Sequence, residues 1–264
     1  MLSTINSSYL FIVGRQREMK LKIGILGYGE IGSSLSKLYD EEKYNLVIKD
    51  LDRDDDLSDL DVLNICIPFK NSDQFVKAVC NQIIESSPSI TIIHSTTLPG
   101  TTNIISDVTE SNVVHSPVRG VHPNLTEGIK TFVKFIGSDN LEASSLTEEH
   151  FKELGIRTKT CSSSRTTELG KLLSTTYYGV VIAWHGEMQN ICEEMGVSFD
   201  ESVTLFNETY NEGYAKLGKE DVIRPTLYPP DGNIGGHCII PNAKLLDSIT
   251  LSDAIKLVIK YGAT

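Results

Sequence analysis

Short apolar runs alternate with amphipathic segments over the first two thirds of the chain. Six runs have the length and continuous hydrophobicity of buried strands: Lys22–Leu26, Tyr44–Lys49, Val62–Ile67, Ile90–His94, Val113–His115 and Phe132–Ile136. Between several of them, apolar residues recur at helical spacing, in Ile31–Leu38, Ser72–Ile84 and Thr147–Leu154. Strands that alternate with helices through short connections are typical of a doubly wound α/β fold with a mostly parallel sheet.

The pattern changes in the last third of the chain. Apolar residues at steps of three and four over residues 169–195 predict one long helix, which Gly196 terminates. Shorter helices are expected over Asp200–Leu217 and Leu251–Tyr261. The predicted fold class is therefore α/β, with an N-terminal Rossmann doubly wound parallel sheet followed by a helical domain with one long central helix.

These patterns divide the chain into three segments. Residues 1–18 are interpreted as a disordered extension, or as the product of a start upstream of a natural Met19. Residues 19–161 are predicted to form the Rossmann domain and residues 162–264 the helical domain. The apolar run Tyr9–Val13 is too short for the core of a signal peptide or for a membrane span.

Composition and charge narrow the class of protein. The chain of 264 residues is 40% hydrophobic and 22% charged, which is ordinary for a globular protein with a sizeable core. A net charge of -11 argues against nucleic acid or an anionic membrane surface as the main partner. The five cysteines are scattered and lack metal-ligand spacing, which predicts reduced thiols in the cytoplasm and no metal site.

A glycine-rich motif follows the first predicted strand and opens the first predicted helix. Its residues are Gly27, Tyr28, Gly29, Glu30, Ile31 and Gly32. Glycines in this context allow a tight turn, close approach of a pyrophosphate, and packing of the helix on the strand. The helix N-terminus offers N–H donors and partial positive charge to the phosphates. The motif therefore predicts dinucleotide binding, with a plain glycine-rich turn as the alternative.

Asp50 ends the second predicted strand, at the distance from the glycine motif where a carboxylate accepts hydrogen bonds from the adenosine ribose. A carboxylate there would repel a 2′-phosphate, so we predict NAD rather than NADP as the cofactor. The neighbouring Lys49 and Asp52 make this assignment less distinct, and a solvated loop carboxylate is the alternative interpretation.

Three later segments have a characteristic order: Ser95-Thr96-Thr97-Leu98-Pro99-Gly100-Thr101-Thr102, Glu168-Leu169-Gly170-Lys171-Leu172-Leu173 and Gly235-Gly236-His237-Cys238. They resemble, in turn, a cofactor-domain signature, the start of the long central helix and the catalytic-cysteine loop of the UDP-glucose/GDP-mannose dehydrogenases. The last segment is closest to the branch that acts on N-acetylated UDP-mannosamine sugars. The resemblance extends from about Lys20 to the C-terminus.

The resemblance implies an NAD-linked, four-electron oxidation of a primary alcohol of a sugar or nucleotide sugar to a carboxylate. In it Cys238 is the nucleophile, which captures the aldehyde as a thiohemiacetal and later leaves from a thioester. Lys171 corresponds to the lysine that stabilises the alkoxide or oxyanion, and Thr96 to the threonine near the reacting hydroxyl. The structural alternatives are a small buried thiol, a solvated lysine and a hydroxyl that closes a turn.

The same resemblance implies a homodimer that pairs through the long helix. It also completes the predicted cofactor-binding residues, which are Gly27, Tyr28, Gly29, Glu30, Ile31, Gly32, Asp50, Pro68 and Thr96.

Several positions depart from the family pattern. Val118 stands where the family usually has a glutamate, and Asn242 stands where it has the aspartate that assists hydrolysis. Thr175 replaces an asparagine four residues after the lysine. Valine and asparagine cannot act as bases near neutral pH, so thioester hydrolysis loses its usual proton acceptors. His122 or His237 could substitute, because imidazole titrates in the working range.

Family members also carry a third, C-terminal Rossmann-like domain that holds much of the substrate nucleotide, and this sequence does not contain it. We therefore expect one of three situations. A partner chain binds the substrate nucleotide, the substrate is smaller, or substrate oxidation has been lost. The leading hypothesis is an NAD-dependent oxidoreductase of the short UDP-sugar dehydrogenase type. The alternatives are a two-electron dehydrogenase of the 6-phosphogluconate or β-hydroxyacid kind, and a catalytically silent NAD-binding module.

Overall fold

The computed structural model describes residues 20–120, 124–236 and 238–262. They fall into two compact units that divide between Glu168 and Leu169. The predicted N-terminal extension, residues 1–18, lies outside the described residues. Within the described ranges, no helix combines the length and the apolar character that a membrane span requires.

The first unit is built on one sheet whose described strands run in the order β3-β2-β1-β4-β5-β6-β7-β8. The strands are β1 (Leu21–Leu26), β2 (Tyr44–Asp50), β3 (Arg53–Asp54), β4 (Val62–Ile65), β5 (Ile90–Ile93), β6 (Val113–His115), β7 (Lys134–Gly137) and β8 (Thr158–Cys161). Strands β2, β1, β4, β5 and β6 are mutually parallel. Strand β3 is an antiparallel edge, and β7 turns antiparallel to β6 before pairing in parallel with β8.

The described α-helices are α1 (Glu30–Ser36), α2 (Ser72–Ser86), α3 (Thr101–Thr109), α4 (Leu125–Thr131), α5 (Leu141–Glu153), α6 (Ser164–Met195), α7 (Leu205–Lys216), α8 (Ile239–Asp247) and α9 (Asp253–Lys260). A π-helical segment, Asp200–Thr204, leads directly into α7, and a 3-10 turn covers Glu220–Val222. A mostly parallel sheet with helices, followed by one long helix and further helices, confirms the predicted fold class.

The sheet is covered by apolar cores on both faces, which explains why its strands read as continuous apolar runs. Side chains alternate between the two faces along a strand. In β4, Val62 packs into one core with Ile23 of β1, while Leu63 packs into the other with Phe75 of α2.

Helix α3 and strand β8 were not predicted from the sequence. Helix α3 has the sequence Thr-Thr-Asn-Ile-Ile-Ser-Asp-Val-Thr, and these residue types have low helix propensity. Its first turn is instead stabilised by the Glu168 carboxylate, which lies 66 residues further along the chain from Thr102. Strand β8 is half exposed at the edge of the sheet and therefore lacks an apolar signature.

Helices α4 and α8 were also missed, and two predicted elements were misplaced. Helix α8 contains Pro241, which reads as a helix breaker but lies in the first turn, where no backbone N–H is required. The strand expected over Phe132–Ile136 begins at Lys134, and the helix expected over Thr147–Leu154 begins six residues earlier, at Leu141.

A chain of buried polar side chains crosses the core of the first unit. The ammonium group of Lys134 donates to His94 Nδ1 at 3.1 Å, which leaves His94 Nε2 to donate to Asn64 Oδ1 at 2.9 Å. Asn64 Nδ2 then donates to the Tyr39 hydroxyl at 3.2 Å, and this hydroxyl donates to His150 Nε2 at 3.0 Å. His94 Nδ1 also lies 3.1 Å from the Ser116 carbonyl oxygen, which accepts a hydrogen bond from the Lys134 ammonium group. We call the series of bonds from Lys134 to His150 the donor chain.

Small residues on α6 let the last helices of the second unit pack closely against it. A Cβ atom at Gly179 would lie 2.5 Å from Ile239 Cγ2, and one at Gly186 would lie 2.5 Å from the Tyr261 ring. Ala183, between these glycines, is fully buried in the same core. We call the row of Gly179, Ala183 and Gly186 the seam of α6. Helix α8 and the end of α9 pack against this seam more closely than larger side chains would allow.

Candidate functional site

The glycine motif forms the connection between β1 and α1. Gly27 has φ +95°, and a Cβ there would lie 2.8 Å from the backbone of Cys66 and Ile67. At Gly32 a Cβ would collide with the Gly27 carbonyl oxygen, so glycine is needed for α1 to pack on β1. A Cβ at Gly29 would meet no protein atom within 4 Å. The protein itself therefore does not require a glycine at position 29, and the open space above it can admit a ligand.

Asp50 ends β2 and is bound to the glycine motif. Its Oδ2 accepts a hydrogen bond from the Tyr28 N–H at 2.7 Å, and its Oδ1 accepts one from the Leu51 N–H at 2.8 Å. The side chain is half-buried, and Arg53 stands over the Tyr28 ring at 6.0 Å. The carboxylate is thus fixed beside the loop in which the predicted pyrophosphate site lies.

The remaining cofactor-binding residues predicted in this unit also follow the carboxyl ends of strands. Pro68 is exposed and follows β4, and Thr96 is half-buried and follows β5. The Ser95 hydroxyl donates to the Ile67 carbonyl oxygen at 2.6 Å, which ties these two strand ends together. Since β2, β1, β4 and β5 are adjacent and parallel, the structure brings the predicted set to one edge of the sheet, where ligands bind in doubly wound folds.

Glu168 is a buried residue of this edge whose contacts sequence reasoning missed. Its carboxylate is fully buried and accepts hydrogen bonds from the Gly100 N–H, from the Thr102 N–H at 2.8 Å and from the Thr102 hydroxyl at 2.6 Å. Burial raises the pKa of this carboxyl, and the hydrogen bonds from Thr102 oppose that shift. Glu168 therefore holds the loop that follows Thr96 against the first turns of α6.

In the second unit, Lys171 is half-buried on α6, between exposed Gly170 and fully buried Leu172. The Thr175 hydroxyl donates to the Lys171 carbonyl oxygen at 3.1 Å. Thr175 thus bonds the backbone of its own helix, as threonine commonly does in helices.

Cys238 is the N-cap residue of α8 and is half-buried. It follows Gly236, whose φ of +82° favours glycine. A helix N-terminus presents unpaired N–H groups and partial positive charge, which favours an anion at that place. Asn242, in the next turn of α8, is buried, and its N–H donates to the Cys238 carbonyl oxygen at 3.2 Å.

The other cysteines occupy structural positions. Cys80 and Cys192 are buried in helices, and Cys161 ends the edge strand β8. Burial raises the pKa of the Cys66 thiol well above its usual range. Cys238 differs from these four because it combines partial exposure with a helix N-terminus.

Val118 is buried in the core of the first unit, where it packs with Leu125 and Ile129. Burying an ionised carboxylate in these apolar surroundings would cost free energy, so the site suits valine better than the glutamate of the resemblance. His122 and His237, the two predicted substitutes for the missing bases, lie outside the described residues. Among the residues that the structure describes, no group of three His, Cys, Asp or Glu side chains is placed to hold a metal ion.

The predicted residues divide between the two units. The glycine motif, Asp50, Pro68 and Thr96 lie in the first, whereas Lys171, Thr175, Cys238 and Asn242 lie in the second.

Comparison with known proteins finds dehydrogenases among those that this chain is similar to. No protein-family model matches the chain. The UDP-N-acetyl-D-mannosamine dehydrogenase of Methanococcus vannielii is 26% identical over 153 residues, which are 57% of this chain and 33% of that protein. The chain spans a third to a half of the length of the curated relatives it matches.

Solved structures show the same fold. The UDP-D-ManNAc dehydrogenase of Pyrococcus horikoshii superposes with a TM-score of 0.75 at 20% identity, over 92% of this chain and 68% of that one. The 3-hydroxyisobutyrate dehydrogenase of Mycobacterium tuberculosis superposes with a TM-score of 0.67 at 14% identity, over 91% of this chain and 92% of that one. The predicted resemblance to UDP-sugar dehydrogenases is confirmed by these relatives.

Proposed function

We propose that this protein is an NAD-dependent dehydrogenase that oxidises the primary alcohol of a sugar or nucleotide sugar, with Cys238 as nucleophile. The observation that carries the proposal is the position of the family's residues on the expected elements. Thr96 follows the carboxyl end of a central parallel strand, Lys171 lies early on the long helix, and Cys238 caps a helix after two glycines.

The carboxyl edge of the sheet fits NAD. The open space over Gly29 leaves room for a pyrophosphate close to the backbone, and Asp50 stands beside it to accept bonds from ribose hydroxyls. Asp52 is exposed next to Asp50, which adds negative charge where NADP would carry its 2′-phosphate. These features support NAD over NADP.

The overall reaction converts one primary alcohol, two NAD⁺ and one water into one carboxylate, two NADH and three protons. When bound, NAD would accept the hydride that the substrate carbon loses in each of two stages. The Cys238 thiolate adds to the intermediate aldehyde, and the resulting thiohemiacetal is oxidised to a thioester. Water then attacks the thioester carbonyl, the carbon–sulfur bond breaks and the thiolate is regenerated.

Lys171 would act on the substrate oxygen, because a fixed ammonium group stabilises the alkoxide and the oxyanion of the thiohemiacetal. For Thr96, the resemblance implies a hydroxyl that donates a hydrogen bond to the reacting alcohol. The buried amide of Asn242 and the apolar side chain of Val118 cannot accept a proton during hydrolysis. We therefore propose that formation of the thioester is faster than its hydrolysis.

A two-electron dehydrogenase is the second candidate, and the residues at positions 118 and 242 favour it. Such a reaction needs no thioester hydrolysis, so the replacement of carboxylates by Val118 and Asn242 would not impair it. In that case Lys171 would act on the alcohol and Cys238 would not be required.

We also propose that the protein is a homodimer in the cytoplasm. Helix α6 exposes a stripe of large apolar side chains along one side, namely Leu169, Leu173, Tyr177, Trp184, Ile191 and Met195. A contiguous apolar stripe of this length is unusual on a monomer. Cys66, Cys80, Cys161 and Cys192 are free thiols, which supports a reducing compartment.

The experiment is a stoichiometric assay with UDP-N-acetylmannosamine, UDP-glucose and small 3-hydroxyacids as separate substrates. Two NADH per carboxylate formed would support the four-electron reaction, and one NADH per carbonyl product would support the two-electron reaction. Calorimetric binding of NAD without turnover of any substrate would contradict both and favour a silent NAD-binding module.

A further inference from the structure

The segment that leads into Cys238 is attached to the end of the last described helix. The Ile234 N–H donates to the carbonyl oxygen of Tyr261 at 2.8 Å, and the Ile234 side chain is buried in the core of the second unit. Gly235 and Gly236 follow, and Gly236 has a left-handed backbone. Since glycines are conformationally permissive, this segment takes its position from its attachments rather than from its own stiffness.

Tyr261 is in turn fixed on α6 by its side chain. Its hydroxyl donates to Glu187 Oε1 at 2.7 Å and accepts a hydrogen bond from Asn190 Nδ2 at 3.3 Å. The ring occupies the space that a Cβ at Gly186 would fill. Burial, together with the neighbouring Glu187 carboxylate, raises the pKa of Tyr261 to about 12, so the phenol keeps its proton and remains a donor.

The other side of Cys238 is attached to the same helix. Ile239, the first residue of α8, packs where a Cβ of Gly179 would lie, at 2.5 Å from Ile239 Cγ2. The two residues that α6 holds, Ile234 and Ile239, therefore enclose the segment of Gly235, Gly236 and Cys238. Helix α6 also carries Lys171, so one rigid element sets the position of both the lysine and the cysteine segment.

We propose that Tyr261 is a positioning residue for Cys238, which acts through its main-chain bond to Ile234 and its side-chain contacts with Gly186, Glu187 and Asn190. Loss of the side-chain contacts frees the end of α9 from α6, and the segment before Cys238 then loses its fixed attachment. The consequence for oxidation rests on the function proposed above, whereas the consequence for the thiol does not.

The first experiment measures alkylation of each cysteine by iodoacetamide in the full-length protein without substrate, read by mass spectrometry. In Tyr261→Ala we expect Cys238 to be alkylated about fivefold faster or more, because its segment opens locally. Tyr261→Phe keeps the ring over Gly186 and should show a smaller increase. Cys192, buried on α6 in the same unit, should be modified at an unchanged rate.

Lys260→Met is the matched control for charge. Lys260 forms an ion pair with Glu187 at 2.7 Å and lies over the Tyr261 ring at 5.7 Å. This variant removes both of these charge contacts and leaves the Tyr261 contacts with Gly186, Glu187 and Asn190 in place. It should alkylate like the unmodified protein. The proposal is wrong if Cys238 reacts at the same rate in Tyr261→Ala as in the unmodified protein. It is equally wrong if Cys192 accelerates in parallel, because that result indicates unfolding of the whole unit.

The second experiment separates positioning from the proposed chemistry. With an oxidised substrate in hand, Tyr261→Ala should lower kcat about tenfold or more and leave the KM for NAD unchanged, since the cofactor residues lie in the other unit. Tyr261→Phe should recover most of kcat. Faster alkylation with full turnover would overturn the role in catalysis. Absence of turnover in the unmodified protein would overturn the proposed function. The alkylation data would still show whether Tyr261 positions the segment before Cys238.

Discussion

The Tyr28 N–H donates to the Asp50 carboxylate at 2.7 Å, so the residue proposed to select the cofactor also shapes the loop proposed to hold its phosphates. Asp50→Ala should therefore weaken NAD binding by about tenfold, because a ribose acceptor and a loop contact are lost together. The preference for NAD over NADP should narrow in the same variant, because the charge that repels a 2′-phosphate is removed.

Calorimetry with both cofactors tests this prediction. Asp54→Ala is the control, since Asp54 is an exposed carboxylate on the neighbouring edge strand β3, and its loss should leave both affinities nearly unchanged. Equal affinities for NAD and NADP in the unmodified protein would overturn the assignment.

Cys238 should give burst kinetics with a true substrate. We expect a rapid release of NADH followed by a slow steady state, because Asn242 and Val118 provide no base for thioester hydrolysis. Stopped-flow absorbance measures both phases. Cys238→Ser should abolish carboxylate formation, and Asn242→Asp should accelerate the slow phase, whereas Cys161→Ser should behave like the unmodified protein. Full turnover by Cys238→Ala would show that Cys238 is not the nucleophile.

The apolar stripe of α6 should mediate self-association. Leu173→Arg places a charge within the stripe and should convert the dimer to a monomer at micromolar concentration, because burying an unpaired charge costs several kcal/mol. Light scattering measures the mass. Leu141→Arg, at an exposed leucine of the first unit, should remain dimeric, and a monomeric unmodified protein would rule the dimer out.

Glu168 should contribute to stability as well as to loop position. Glu168→Ala leaves the buried N–H groups of Gly100 and Thr102 without an acceptor, which should lower the free energy of unfolding by about 2–4 kcal/mol. Glu168→Gln retains one acceptor and should cost less. Urea denaturation measures both variants, and Glu142→Ala, at an exposed position of α5, is the control. A loss as small as that of the control would show that the bonds are not formed.

The buried donor chain predicts a stability that declines in acid. Burial lowers the pKa of His150 to about 4, below the value near 6.5 of an exposed histidine. The unfolded chain therefore binds a proton first, so this contribution is complete above pH 6.5 and is lost as the pH falls toward 4. The loss at His150 amounts to about 3 kcal/mol.

Denaturation in urea at pH 7.5 and pH 5 measures this effect. His150→Gln offers Tyr39 an acceptor that does not titrate, so its stability should fall less between the two pH values. Burial also lowers the pKa of His94. The free energy of unfolding of His150→Gln should therefore still fall between pH 7.5 and pH 5, because of His94. If His150→Gln loses as much free energy of unfolding between the two pH values as the unmodified protein, His150 is not buried in the neutral form.

The fold class and the cofactor edge could be predicted because their signals are local in sequence. An apolar run marks each central strand, and the glycine motif lies between the first strand and the first helix. Helix α3 could not be predicted, because its stabilising carboxylate, Glu168, comes from a distant part of the chain. The donor chain from Lys134 to His150 joins five elements or their ends and leaves no local pattern either.

The cysteine site was predicted as a motif, but its support was not. Gly235, Gly236 and Cys238 form a recognisable segment, whereas Tyr261 looked only like the end of an amphipathic helix. Its contact with Glu187 spans 74 residues and depends on the missing side chain of Gly186. Such contacts follow from tertiary packing, which periodicity does not report.

Three helices begin after β1, β4 and β5 at the carboxyl edge of the sheet, and two of them have their N-termini occupied by the protein. The Asn71 side chain accepts from the Gln74 N–H at the start of α2, and Glu168 accepts from the first N–H groups of α3. At α1 the N-cap is Gly29, which has no side chain to do the same. Side chains of the protein thus accept hydrogen bonds at the N-termini of α2 and α3, whereas the space over Gly29 at α1 is open to a ligand. A pyrophosphate at this edge would bind at the glycine motif, because protein acceptors already fill the two competing helix N-termini.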